Sequence, residues 1–206
     1  MPTTLVHGDL PVEIAEAIRR EGRVAVDTET SGLSWETESL DLCQFFTPAT
    51  GPVVVSRLSE RPGEILLLLQ DPNLLKIMHF APFDLRFLEA TWGVVSRSVA
   101  CTKVASRILD PDLPTRDHSL QSLLFRRLGV SITKGPVRTS DWSVATLSAG
   151  QLEYAASDVE HLIGLYETLV QELRERSLEE LYSEVCHYLP IDAHLAVSRI
   201  PDPLRY

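Results

Sequence analysis

The chain has 206 residues, 44% of them hydrophobic and 23% charged, which excludes a disordered or fibrous protein and suits one sizeable globular core. A formal net charge of −10 excludes bulk electrostatic attraction to nucleic acid, though a metal cluster or a local basic patch can still hold a few phosphates. Cys43, Cys101 and Cys186 are scattered without zinc-ligand spacing, the longest apolar run (Ile65 to Leu69) is too short to span a bilayer, and Met1-Pro2-Thr3-Thr4 lacks the features of a secretion signal, so a cytoplasmic protein is expected.

Thr4 to His7 reads as a short strand, ended by Gly8-Asp9. Pro11 suits the first turn of a helix whose apolar stripe, Ile14, Ala17 and Ile18, runs to Arg20 and stops at Gly22. The next run, Val24-Ala25-Val26-Asp27-Thr28-Glu29, opens as a buried strand. Leu40 to Phe46 and Val53 to Val55 follow as further strands, separated by turn residues, and three strands in succession predict an antiparallel meander. Helix and strand then alternate. A helix over Glu64 to Gln70 precedes a strand over Leu75 to Phe80. Helices are predicted over Phe83 to Trp92, Thr102 to Leu109, and Ser119 to Leu128, the last with Gly129 as its stop. Lys134 to Ser143 is a polar loop. Ser148 and Gln151 form a capping box that opens one long helix with a stripe through Leu152, Ala156, Val159, Ile163, Tyr166 and Val170. A final helix near Leu178 to Leu189 and a Pro-containing tail complete the chain. These elements predict one α/β domain with a mixed sheet.

Carboxylates recur at the ends of buried elements. On a strand, residues i and i+2 share a face, so Asp27 and Glu29 project together. Adjacent buried charges repel and lose hydration, costs that a divalent cation removes. An isolated D-x-E is more often an exposed acidic turn, and its partners decide the matter. Asp84 stands at a strand-to-helix junction, and Tyr154 and Asp158 are four apart on one helical face. Four carboxylates can hold two divalent ions for in-line displacement at phosphorus, and hard oxygen ligands select Mg²⁺ or Mn²⁺.

Asp27-Thr28-Glu29, His79-Phe80-Ala81-Pro82-Phe83-Asp84-Leu85 and Tyr154-Ala155-Ala156-Ser157-Asp158 resemble, in order and spacing, the three motifs of the DEDD superfamily of 3′–5′ exonucleases. Tyrosine four residues before the last aspartate is similar to the tyrosine subclass, and within it the chain most resembles ribonuclease D, including Leu120 to Gly129 and Ser140-Asp141-Trp142. The resemblance covers about residues 5 to 175.

The resemblance implies a ribonuclease H-like fold with a mixed five- to six-stranded sheet flanked by helices. It implies hydrolysis of single-stranded RNA from the 3′ end, with release of nucleoside 5′-monophosphates and two Mg²⁺ or Mn²⁺ ions. Asp27, Glu29, Asp84 and Asp158 would be the metal ligands, and Tyr154 would orient the water. Thr28, Thr30 and Leu33 would hold the terminal nucleotide, Leu33 as a wedge against its base. His79, Phe83 and Lys134 complete the expected substrate contacts. Residues 1–176 would form the exonuclease domain, with 177–206 a helix and tail packed on it. Longer ribonuclease D proteins carry helical nucleic-acid-binding domains beyond this unit, and the 30 residues after Arg176 are too few for one, which argues against structured RNA as the substrate. Single-stranded DNA is the alternative substrate. A non-catalytic nucleic-acid-binding domain is disfavoured, because all four acids and the tyrosine are present. Arg126, Arg127, Lys134 and Arg138 form either a phosphate-holding edge or a solvated helix end, and Trp142 is expected in the core.

Overall fold

The computed structural model describes residues 2–132, 137 and 140–204. Six strands form one mixed sheet: β1 (Thr4–His7), β2 (Arg23–Thr30), β3 (Leu40–Thr47), β4 (Gly51–Ser56), β5 (Leu75–Met78) and β6 (Val99–Cys101), in the order β1-β4-β3-β2-β5-β6. The predicted meander is present, since β2 pairs antiparallel with β3 and β3 with β4. β1 joins β4 in parallel, while β5 joins β2 and β6 joins β5 in parallel. The centre of the sheet follows from its residues. Val24, Ala25 and Val26 are fully buried, which only a central strand covered on both faces allows.

The helices are α1 (Val12–Glu21), α2 (Gly63–Gln70), α3 (Ala81–Trp92), α4 (Thr102–Leu109), α5 (Leu120–Leu128), α6 (Ala149–Glu160), α7 (Leu162–Glu175) and α8 (Glu179–Val197). Their ends obey local chemistry. Gly22, Gly93 and Gly129 close α1, α3 and α5 in the left-handed conformation, and Ser148 with Gln151 completes the predicted capping box of α6. α6 packs across β2, β3 and β4, burying Leu42, Val54, Trp142, Leu147, Tyr154 and Ala155 in a small cluster apart from the main core. α8 packs against α3, tied by the ion pair Arg86–Asp192 and a hydrogen bond between His194 and Glu89.

Several elements differ from the sequence prediction. β5 ends at Met78, not Phe80, because Phe80 turns into the left-handed region at φ 67°, which no strand accommodates. α3 therefore begins at Ala81 and takes Pro82 into its first turn, where a missing N–H costs nothing. The single long helix is two, broken at His161, while the apolar stripe continues through Val159, Ile163 and Val170. α8 runs past Pro190 to Val197 because Leu189 and Ala193, on either side of the proline, are both buried. β6 was not anticipated. Three residues leading directly into a helix leave too short a pattern to see.

Candidate active site

The geometry starts from the register of β2. Its pairing with β5 covers only Arg23 to Ala25, whereas its pairing with β3 continues to Thr30. Asp27 to Glu29 thus lie beyond the last residue that β5 pairs. The first turn of α3 brings Asp84 to this stretch. A register shift between Glu29 and Thr30 bends the strand as it leaves the sheet.

Asp27 and Glu29 face the side covered by α6, their cross-strand neighbours being Gln44 and Leu42. α6 carries Asp158 to them, and one carboxylate oxygen from each of Asp27, Glu29 and Asp158 lies within 4.8 Å of the other two. Thr28, between the two acids, points the other way. Its hydroxyl donates a hydrogen bond of 2.7 Å to Asp84 Oδ1 in the buried interior. Thr28, expected as a substrate contact, lines the cleft but is only 5% exposed, with its hydroxyl bonded to Asp84.

The electrostatics express crowding of like charge. Burial pushes the Asp84 carboxyl up to about 7, helped by the charge of Asp158, while hydrogen bonds from the Thr28 hydroxyl and nearby backbone N–H groups pull it down. Behind the strand, burial and the charges of Asp84 and Asp27 raise the Cys43 thiol. Burial and the negative charge of Asp158, Glu29 and Asp27 raise the Tyr154 phenol, which is hydrogen-bonded to Asp158 and therefore stays protonated. The residues fit a divalent cation. The donors are hard carboxylate oxygens within one ion's reach, and a cation would offset the cost that lifts Asp84. Gln44, beside Asp27, adds a fully buried carboxamide whose two polar atoms meet no partner among the described residues.

Asp27, Glu29, Asp84, Tyr154 and Asp158 line a cleft of about 640 Å³. On one wall the turn after β2 is pinned: Thr30 donates to the Gly32 carbonyl at 2.6 Å, and Ser31 bonds Glu38 at 2.8 Å. A Cβ on Gly32 would lie 2.7 Å from the end of the exposed Glu38 side chain, which would have to shift to admit it. The turn presents Leu33 to solvent at 85% exposure. On the opposite wall, His79 Nδ1 lies 2.9 Å from the Thr102 hydroxyl, which itself donates to the Met78 carbonyl at 3.3 Å. The direction of the His79–Thr102 hydrogen bond follows the histidine tautomer. Phe83 is half-buried and packs on Phe87 with ring centres 5.0 Å apart, so one face belongs to the core.

Other expectations divide. Trp142 is in the core, as expected, its ring tilted 41° to that of Tyr154 with centres 5.8 Å apart. Arg126 and Arg127 are paired with Asp110, and Arg127 also with Glu172, so they brace α5 against α7 and do not line the cleft. Lys134 and Arg138 fall outside the described residues. Sequence reasoning missed Lys103, a cation that does line the cleft, with its ammonium 4.2 Å from the Phe80 ring centre. Its signal was hidden with β6, because Thr102-Lys103 opens a helix just after a strand, as the segment carrying Asp84 does.

A family model described as 3′–5′ exonuclease matches residues 5–174. Ribonuclease D from Gluconacetobacter diazotrophicus is 33% identical over 84% of this chain and 43% of its own length. The chain spans less than half the length of the first curated ribonuclease D relatives it matches. Brucella melitensis NrnC, solved bound to pGG, is 30% identical with a TM-score of 0.90, covering 100% of this chain and 99% of that one; the same protein has been solved with bound Mg²⁺. Escherichia coli RNase D shares the fold at a TM-score of 0.83 and 21% identity, over 94% of this chain and 51% of that one, so the ribonuclease H-like fold expected from the motifs is present.

Proposed function

The chain belongs to the 3′–5′ exonuclease family, and from that membership we propose that it hydrolyses single-stranded RNA from the 3′ end and releases nucleoside 5′-monophosphates. The observation that carries this reading is the convergence of Asp27, Glu29 and Asp158 within 4.8 Å, with Asp84 tied to the same strand through Thr28 and Tyr154 hydrogen-bonded to Asp158. NrnC, solved with Mg²⁺ and with pGG, supports a divalent ion and a nucleotide strand as what such a cleft takes.

In this reading Asp27, Glu29, Asp84 and Asp158 hold two Mg²⁺ or Mn²⁺ ions. When bound, the ions lower the pKa of the attacking water and neutralise charge on the phosphate and the leaving oxygen. The protein does the rest by position. Tyr154, kept neutral by its surroundings, orients the water through its hydroxyl. The water oxygen bonds to the terminal phosphorus as the bond from that phosphorus to the 3′ oxygen of the preceding nucleotide breaks, so the last residue leaves as a 5′-monophosphate. Leu33, 85% exposed on a pinned turn, packs against the terminal base, and Thr30 fixes that turn. His79 offers its Nε2 side to the sugar, the exposed edge of Phe83 supports the base, and Lys134 contacts the backbone phosphates. Residues 1–176 act as the exonuclease domain, and the segment from 177 onward, with α8, braces α3, which carries Asp84.

The test is incubation of the protein with 5′-labelled single-stranded RNA and DNA, in Mn²⁺ and in EDTA, beside Asp27→Ala. Shortening of RNA with metal, absent in EDTA and in the variant, supports the proposal. Shortening of DNA in preference to RNA makes it a deoxyribonuclease, and intact strands under every condition sink it.

A further inference from the structure

We propose that Lys103, steered by the ring of Phe80, is a phosphate-binding subsite of the cleft, taking a phosphate of the strand other than the one being cleaved. This rests on the nuclease reading of the same cleft. The ammonium sits 4.2 Å from the Phe80 ring centre, and both residues line the cavity that Asp27, Glu29, Asp84 and Asp158 share. No acidic side chain among the described residues pairs with it, although the chain carries 29 acids against 19 Lys and Arg. A cation without a counter-ion among the described residues of so acidic a protein has an unused partner preference, and the cleft's ligand, on this reading, is a polyanion.

Helix stability does not account for the position. Lys103 lies in the first turn of α4, the end at which the helix dipole disfavours positive charge. Partial burial and the neighbouring charge of Arg107 disfavour the ammonium further. Phe80 is strained as well. It holds φ 67° without being glycine and leaves 44% of its surface exposed at the rim. Both local costs place the lysine over the aromatic face and aim it into the cleft. A phosphate there offsets the repulsion and desolvation together. A lysine is suited to that task as a point charge, with three donors and no demand for a planar partner.

The phosphate has two possible sources: an internal diester of the strand, or the terminal 5′-phosphate of a strand too short to extend further. The probes are a 5′-phosphorylated RNA dinucleotide, its 5′-hydroxyl counterpart and a 5′-hydroxyl RNA octamer. Equilibrium binding is read in EDTA by competition against a labelled octamer, and turnover is read in Mn²⁺, for wild type, Lys103→Gln, Lys103→Arg and Phe80→Leu. Lys103→Gln is expected to weaken binding about tenfold and to lower the slope of log affinity against log salt by about 0.7, with KM rising more than kcat falls. Lys103→Arg restores most of the affinity, and Phe80→Leu loses part of it. A loss confined to the 5′-phosphorylated dinucleotide identifies the terminal phosphate, and a loss shared by the 5′-hydroxyl octamer identifies an internal diester; either supports the subsite. A wild type that digests strands while Lys103→Gln matches it in affinity, salt slope and KM overturns the subsite and leaves the nuclease reading standing. A wild type that neither binds nor shortens any strand overturns both.

Discussion

The hydroxyl of Thr28 donates to Oδ1 of Asp84 across 2.7 Å of buried interior, joining the middle residue of the Asp27-Thr28-Glu29 stretch to the first turn of α3. Two carboxylates of the cluster are thus presented by one face of β2, and a third is held by the residue between them on the other face. Removing this bond while keeping the shape of the side chain, as in Thr28→Val, is expected to lower metal affinity about 10- to 100-fold, in the range seen when a ligand loses its orienting partner. Titration of Mn²⁺ followed by the rise in melting temperature measures it, and Thr28→Ser should restore most of the loss. Unchanged metal affinity in Thr28→Val would show that Asp84 needs no such support.

Tyr154 is buried against Trp142, and burial beside Asp158 keeps its hydroxyl protonated. Tyr154→Phe keeps the ring and loses only the donor. We expect kcat to fall by roughly 10²-fold, the cost of removing one oriented donor, with KM and melting temperature nearly unchanged. A rise in KM at constant kcat would mean that the phenol binds substrate rather than positioning water.

Leu33 separates stability from function. At 85% exposure its side chain contributes little to the core, so Leu33→Ala should change unfolding free energy by no more than about 0.5 kcal/mol. If the side chain packs against a terminal base, the same variant loses binding by about tenfold, the worth of part of a buried leucine. Urea denaturation and strand-binding assays on one preparation make the comparison. Intact binding would remove Leu33 from the site.

Lys76 offers a pH test away from the cleft. It sits fully buried on β5 between β2 and β6, its ammonium donating to the Asp71 carbonyl at 2.6 Å, and burial pushes its pKa down from 10.5 to about 8. Below pH 8 both folded and unfolded chains carry the charge, and burial opposes folding. Between 8 and 10.5 the folded chain sheds its proton while the unfolded chain keeps it, so unfolding takes up a proton and stability rises with pH. Relative to Lys76→Met, the wild type should gain stability on the order of 2 kcal/mol across that window, read by urea unfolding at pH 7.5 and 10. A flat difference would place the ammonium in contact with water.

Much of this was legible in the sequence, and the exceptions share a cause. The β2 run, the meander and the Ser148–Gln151 cap are local patterns, and the family motifs put Asp84, Tyr154 and Asp158 in register with Asp27 before any fold was known. What stayed hidden depends on backbone torsion or on contacts distant in the chain. Phe80 gives no sequence sign of its left-handed turn, which shortens β5 and brings Pro82 into α3. β6 draws its strand character from pairing with β5, and with it went Lys103. That Thr28 faces away from Asp27 and Glu29 follows from strand alternation alone, but its partner Asp84 is 56 residues away in sequence.

The most direct measurement of the central claim is a time course on a 5′-labelled single-stranded RNA in Mn²⁺, with products resolved at single-nucleotide steps and small products identified by mass. We expect a ladder that shortens one residue at a time from the 3′ end, nucleoside 5′-monophosphates as the released product, and no ladder from Asp158→Asn. Internal cuts, release of 3′-monophosphates, or full activity in the Asp158→Asn variant would contradict the account.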